Sequence, residues 1–148
     1  MGYIASTNRE AMQQITKMQY YITACSNDAM QYAILAAMNE ASDYPSVLAN
    51  EFRQRCELIV GRLNAMPGVE CHKPKGAIYV FPKVDVPNMN SQEVAMELLK
   101  DGVLCSPGSA FGPSGEGHLR FAYTISQEDI SKGMDIVEKT LVRLQSEN

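Results

Sequence analysis

One stretch of the sequence constrains the fold more than any other. A short apolar run and a Pro-Gly turn occupy residues 102–112, a glycine-rich loop follows, and residues 118–123 return as an alternating strand. The apolar positions of that strand share one face: Leu119, Phe121 and Tyr123. The opposite face holds the remaining three: His118, Arg120 and Ala122. The pattern therefore predicts a strand with one buried side and a single guanidinium on the other side.

Arg120 admits two interpretations from its spacing alone. A guanidinium is permanently charged, and its planar fork of donors matches a carboxylate through two parallel hydrogen bonds. Held on a strand behind a glycine-rich loop, it can anchor a carboxylate ligand. It can also be an edge-strand charge that discourages aggregation, and most arginines on strands are structural or solvated. The residues leave both interpretations open.

Charge and composition exclude several classes of function. The 148 residues carry a formal net charge of −4, which argues against nucleic-acid binding. No apolar run approaches the roughly 20 residues that cross a bilayer, and the first residues show no export signal, so we expect a cytoplasmic protein without a membrane partner. The four cysteines form no C-x-x-C pair and the two histidines lie far apart, so no zinc or redox motif is expected.

The first part of the chain predicts two helices, over residues 9–24 and 27–41, with Ser26 as the N-cap of the second. The second helix is apolar on nearly every side and needs more cover than a chain of this length supplies. We therefore expect residues 1–44 to be two helices left from a larger domain, and residues 45–148 to form a separate small domain.

The second part predicts the order α-β-β-α-β-β-α. A long helix reaches about Met66, and strands over 69–72 and 77–84 pair around a Lys-Pro-Lys-Gly turn. Tyr79 and Phe81 share one apolar face of the second strand. A helix with the capping signature of Asn90 and Glu93 at its start buries Val94, Leu98 and Leu99, and Gly102 ends it. Ser126 caps the last helix, which has an apolar stripe of five residues: Ile130, Met134, Val137, Leu141 and Leu144. Helices on one face of a small mixed sheet make a two-layer α+β domain.

Five segments match, in order and spacing, the motifs of one enzyme family. Residues 2–4 resemble the end of a Gly-x-Arg-x-Gly-Tyr segment, and residues 26–31 resemble a Ser-x-x-x-x-Gln helix entry. Residues 73–81 are similar to a Pro-x-Gly-x-Phe/Tyr-Tyr hairpin, residues 103–112 to a Val-x-x-x-Pro-Gly-x-x-Phe-Gly loop, and residues 118–123 to an x-Ile/Leu-Arg-Leu/Phe strand. Over essentially its whole length, the chain resembles the C-terminal third of the fold-type I, pyridoxal-phosphate-dependent aminotransferases of the aspartate and aromatic group.

The resemblance implies a function for residues 102–123. Arg120 would grip the α-carboxylate of an amino acid or 2-oxo acid substrate during transfer of the amino group. Gly108 and Phe111 would belong to the loop that closes over the substrate, and Tyr79 would lie near the cleft. The family also implies a homodimer, with the residues around Ser26 near its interface.

The resemblance further implies that the cofactor-binding groups of the family lie outside these 148 residues. The family's Schiff-base lysine and most groups that hold pyridoxal phosphate precede the segment where this chain begins. We therefore expect the 148 residues alone neither to transaminate nor to bind the cofactor tightly, and we assign no catalytic or cofactor-binding residue. The amino acid substrate is not determined, because in this family upstream segments and the partner subunit contribute much of the side-chain specificity.

Two other classes of function remain open from the sequence. The chain can be a free-standing amino-acid-binding or regulatory α+β module that uses Arg120 without catalysis. It can also serve in assembly through its apolar N-terminal helices.

Overall fold

The structure is a computed structural model that describes residues 2–147, with side chains through residue 146. Five α-helices lie in this part of the chain: α1 (Arg9–Thr23), α2 (Asp28–Glu40), α3 (Tyr44–Asn64), α4 (Ser91–Lys100) and α5 (Gln127–Glu147). The strands are short: β1 (Val69–Glu70), β2 (Tyr79–Val80), β3 (Lys83–Val84), β4 (Ser106–Pro107) and β5 (Leu119–Ala122). None of these helices is long and apolar enough to span a membrane.

The chain divides into two compact units, one ending at Ser46 and one beginning at Val47, within the first turn of α3. In the first unit, neither α1 nor α2 contains a buried residue. The N-cap of α2 is Asn27, whose side chain accepts a hydrogen bond of 3.2 Å from the Met30 N–H. The prediction of Ser26 as N-cap was therefore wrong by one position, since asparagine at the next position makes the bond.

The second unit is built around one hydrophobic core. α3 contributes Cys56, Ile59 and Leu63, and β5 contributes Leu119 and Phe121. The stripe predicted for α5 is buried as a whole: Ile130, Met134, Val137, Leu141 and Leu144. These positions recur every three or four residues, so the helices were predictable from periodicity.

α4 follows the sequence prediction at both ends but not at every core position. Asn90 accepts from the Glu93 N–H at 3.0 Å, and the Glu93 carboxylate accepts from the Asn90 N–H at 2.8 Å, which completes a capping box. Gly102 follows the helix with a φ of 98°. Leu98 is fully buried, but Leu99 is 46% exposed, so its predicted burial was wrong. One residue along a helix turns the side chain by about 100°, and this moves Leu99 off the core face.

The strands form two small sheets, in the orders β1-β3 and β2-β5-β4. A mixed sheet was expected, and each strand pair within residues 2–147 is antiparallel. The single strand predicted over 77–84 is divided between the sheets, because Pro82 has no N–H to donate to a ladder. Its carbonyl instead accepts from the Leu119 N–H at 3.1 Å. The α+β class is confirmed, with β5 as the central strand of the larger sheet.

Candidate functional site

Arg120 lies in the middle of the three-stranded sheet, on the face of β5 opposite the core residues Leu119 and Phe121. Its direct cross-strand partner is Ser106 on β4, whose hydroxyl accepts a hydrogen bond of 3.3 Å from a terminal nitrogen of the guanidinium. Because β5 is paired on both sides, Arg120 is not an edge-strand charge. The interpretation of this arginine as a device against aggregation is therefore excluded.

Two aromatic rings flank the guanidinium. Its central carbon lies 4.5 Å from the ring centroid of Tyr79 and 4.5 Å from that of Phe111. Both distances allow cation–π attraction. The structure thus brings together three of the four residues that the sequence selected, although they come from β2, β5 and the loop between β4 and β5.

Arg120 has no carboxylate partner among the residues that the structure describes. The ion pairs formed within residues 2–147 do not include this arginine, although its side chain is half-buried. A partly desolvated charge is normally paired, since its burial costs free energy otherwise. A guanidinium that lies between two rings and forms no ion pair within residues 2–147 has the chemistry of a site for an external carboxylate.

Gly108 shapes the loop that carries Phe111. A Cβ atom on Gly108 would lie 1.9 Å from the Gly115 carbonyl oxygen, and one on Gly115 would lie 2.1 Å from the Gly108 carbonyl oxygen. Only glycine permits this approach of two backbones. The Gly108 N–H donates to the His118 carbonyl at 2.8 Å, so the loop closes just before β5.

Sequence reasoning did not select two further aromatic neighbours. Phe81 meets Phe111 edge-on, with ring centroids 5.8 Å apart, and stacks on His118 with centroids 5.0 Å apart. The signal was present in the alternation, because Phe81 shares a strand face with Tyr79, and His118 shares one with Arg120. Together these rings extend an apolar surface beside the guanidinium.

Sequence reasoning also missed a polar contact beneath the loop. The Glu116 carboxylate accepts hydrogen bonds from the backbone N–H groups of Ser91 at 2.6 Å and Gly117 at 2.9 Å. Bonds to the ionised form favour it, so they hold the pKa of Glu116 below its usual range. No local sequence motif predicts this contact, because Ser91 and Glu116 are 25 residues apart in the chain.

We assign no metal- or cofactor-holding residue in the described part of the chain. No group of His, Cys, Asp or Glu side chains in residues 2–147 could hold a metal ion. The groups that contact the Arg120 guanidinium include no lysine. Three lysines elsewhere pair with carboxylates: Lys73 with Glu57, Lys100 with Glu97 and Lys132 with Glu128.

Comparison with known proteins shows which enzymes this chain is similar to. The aspartate aminotransferase of Pyrococcus horikoshii is 32% identical over 144 residues, which cover 95% of this chain and 37% of that enzyme. The aromatic-amino-acid aminotransferase 2 of Thermococcus litoralis is 33% identical over 144 residues, covering 95% of this chain and 36% of that enzyme. The chain is homologous to the C-terminal part of the aspartate and aromatic aminotransferases. The resemblance predicted from the motifs is confirmed.

Solved aminotransferase structures share the fold. An alanine aminotransferase from Pyrococcus furiosus superposes with a TM-score of 0.81 at 31% identity, over 93% of this chain and 36% of that one. An aromatic aminotransferase from Pyrococcus horikoshii gives a TM-score of 0.80 at 32% identity. No protein-family model matches the chain. The chain spans little more than a third of the length of these aminotransferases.

Proposed function

We propose that this chain is the part of a pyridoxal-phosphate-dependent aminotransferase that binds the α-carboxylate of the substrate. The whole enzyme would transfer an amino group between an amino acid and a 2-oxo acid. The observation that carries the proposal is the Arg120 guanidinium, held between the rings of Tyr79 and Phe111 with no carboxylate partner in residues 2–147. Homology to aminotransferases supports the reaction class.

Arg120 would act by orientation. Ser106 engages one terminal nitrogen of the guanidinium, and the rings of Tyr79 and Phe111 restrict how its plane can turn. A carboxylate bound by two parallel hydrogen bonds is fixed in both position and rotation. Such a clamp sets the direction of the substrate's Cα–H bond, which transamination requires. Pyridoxal phosphate, when bound to the whole enzyme, supplies the electron sink for that chemistry.

The remaining parts of the proposal concern the whole protein. The 148 residues would be inactive alone and would not bind pyridoxal phosphate tightly, because the Schiff-base lysine would come from residues upstream of this segment. The complete enzyme would be a cytoplasmic homodimer, with Gly108 and Phe111 in the loop over the substrate.

Titration of the 148-residue chain with a 2-oxo acid tests the role of Arg120. We expect shifts of the backbone amide resonances of β4 and β5 with millimolar affinity, because only part of the cleft is present. Arg120→Gln should abolish these shifts, whereas the matched control Arg53→Gln, at an exposed arginine of α3, should retain them. Equal binding by the parent chain and Arg120→Gln would contradict the proposal.

The same titration separates the proposed function from the alternative of a free-standing binding module. The alternative has one observation in its favour, because Arg120 and both flanking rings lie within the second compact unit. Micromolar binding of an amino acid by the 148-residue chain would favour the module. Borohydride reduction with pyridoxal phosphate provides the second criterion, since stoichiometric labelling of one lysine would contradict the assignment of the Schiff base to an upstream residue.

A further inference from the structure

Both ends of the loop over residues 108–117, beside Arg120, contact one side chain of α4. Ser91, the first residue of α4, is 3% exposed. Its hydroxyl accepts a hydrogen bond of 3.2 Å from the Ser109 N–H and lies 3.2 Å from a Glu116 carboxylate oxygen. Ser109 directly follows Gly108, and Glu116 directly follows Gly115. The contact with Ser91 therefore lies beside the place where the two glycine backbones meet.

The Glu116 carboxylate carries most of this connection. One oxygen accepts from the N–H groups of Ser91 and Gly117, and the other bonds to the Ser91 hydroxyl. The Ser91 N–H belongs to the first turn of α4, where backbone donors lack partners within the helix. A carboxylate there is also favoured by the helix dipole. Glu116 thus joins the loop to a helix that contributes Val94 and Leu98 to the core.

Phe111 gains little support from the burial of its own side chain. Phe111 is 51% exposed, and its ring touches Phe81 edge-on. The ring reaches Arg120 from a short 3₁₀ turn, Gly108–Phe111, which begins next to the fastened end of the loop. The position of this ring therefore follows from the position of the backbone rather than from burial of the side chain.

We propose that Glu116 is a positioning residue that fastens the loop over residues 108–117 to the start of α4 and so holds Phe111 against the Arg120 guanidinium. The consequence for substrate binding rests on the proposed function of Arg120. The positioning itself does not, because it concerns only groups of this chain.

An NMR measurement without ligand tests the positioning. The rings of Tyr79 and Phe111 both lie over the guanidinium, so the Arg120 Nε–H resonance carries a ring-current shift from each. Phe111→Leu removes the contribution of one ring and so calibrates it. We expect Glu116→Ala to remove at least half of that contribution. Glu116→Gln, which keeps only one accepting oxygen, should remove a smaller part.

Asn64→Ala is the matched control for a purely structural effect. The Asn64 side chain also makes two hydrogen bonds to backbone, with the N–H and C=O of Cys71 at 2.8 and 2.9 Å, on the α3 side of the unit. We expect this variant to lower the Tm, as Glu116→Ala does, but to leave the Arg120 Nε–H resonance in place. Ser91→Ala, a milder change at the same contact, keeps the test available if Glu116→Ala does not fold.

The outcomes separate the two proposals. The positioning role would be overturned if the Arg120 Nε–H resonance stayed unchanged in Glu116→Ala. If Glu116→Ala does not fold, an unchanged resonance in both Ser91→Ala and Glu116→Gln would overturn it. A resonance that moves in these variants would support the positioning role. If the parent chain at the same time bound no carboxylate, the proposed function would be contradicted while the positioning role would stand. If both hold, Glu116→Ala should weaken 2-oxo acid binding several-fold while Asn64→Ala leaves it unchanged.

Discussion

Tyr79 and Arg120 are diagonal neighbours on the antiparallel pair β2-β5, with the Arg120 guanidinium carbon 4.5 Å from the centroid of the Tyr79 ring. Tyr79 stands directly opposite Ala122, so the long arginine side chain reaches across the strands to the ring. The small side chain of Ala122 leaves the face of the ring open to the guanidinium.

Replacing the ring of Tyr79 should weaken carboxylate binding. A cation–π contact at a partly exposed site is worth about 0.5–1 kcal/mol, which corresponds to a loss of affinity of roughly two- to fivefold. We expect this loss in Tyr79→Leu when 2-oxo acid binding to the chain is followed by NMR. Tyr79→Phe keeps the ring and serves as the control, and a comparable loss in that variant would assign the effect to the hydroxyl instead.

Gly115→Ala should destabilise the second unit. The added Cβ would meet the Gly108 carbonyl oxygen at 2.1 Å, and backbone on both sides cannot move without breaking the loop. We expect a loss of about 3 kcal/mol in the free energy of unfolding, measured with urea. Gly61→Ala on α3 is the control, because its Cβ meets nothing within 4 Å. That variant should gain about 0.5–1 kcal/mol from helix propensity. Equal stability of the two variants would show that the close backbone approach does not exist.

Two adjacent leucines of α4 should respond differently to truncation. Leu98 is fully buried, so Leu98→Ala should cost about 3 kcal/mol through lost burial and a cavity. Leu99 is 46% exposed on the same helix, and Leu99→Ala should change stability by less than about 1 kcal/mol in the same urea experiment. Similar losses in the two variants would mean that Leu99 is covered after all, as its sequence pattern first indicated.

Stability should fall at alkaline pH. Burial raises the pKa of the Cys71 and Cys105 thiols from 9.0 to about 11, and burial followed by its contact with Cys56 raises the pKa of Tyr123 from 10.0 to about 12. Each group binds its proton more tightly when folded. The contribution of each protonated group to the free energy of unfolding is therefore complete below its pKa in the unfolded chain. This contribution is lost as the pH rises through its pKa in the folded chain.

Urea unfolding between pH 8 and 11 measures this effect. The decline should begin near pH 9 with the thiols, and the double variant Cys71→Ala, Cys105→Ala should show a shallower decline than the parent chain. Cys25→Ala, at an exposed cysteine of the first unit, is the control and should keep the parent slope. An unchanged slope in the double variant would exclude the two buried thiols as its source.

The sequence by itself determined the elements whose signals are local. Recurrence every three or four residues placed α3 and α5, and the capping residues Asn90 and Glu93 placed the start of α4. Strict alternation assigned Leu119 and Phe121 to the core and Arg120 to the opposite face. These signals succeed because the residues that produce them lie within a few positions of one another, where the helix or strand period fixes their directions.

Only the tertiary structure decided how distant segments meet. It placed β5 between β2 and β4, which removes Arg120 from any sheet edge, and it divided the predicted strand at Pro82. It also brought Glu116 to Ser91. Such contacts join residues tens of positions apart, and many partners satisfy the same local pattern. The choice among them is made by the packing of the whole core, which no single stretch of sequence contains.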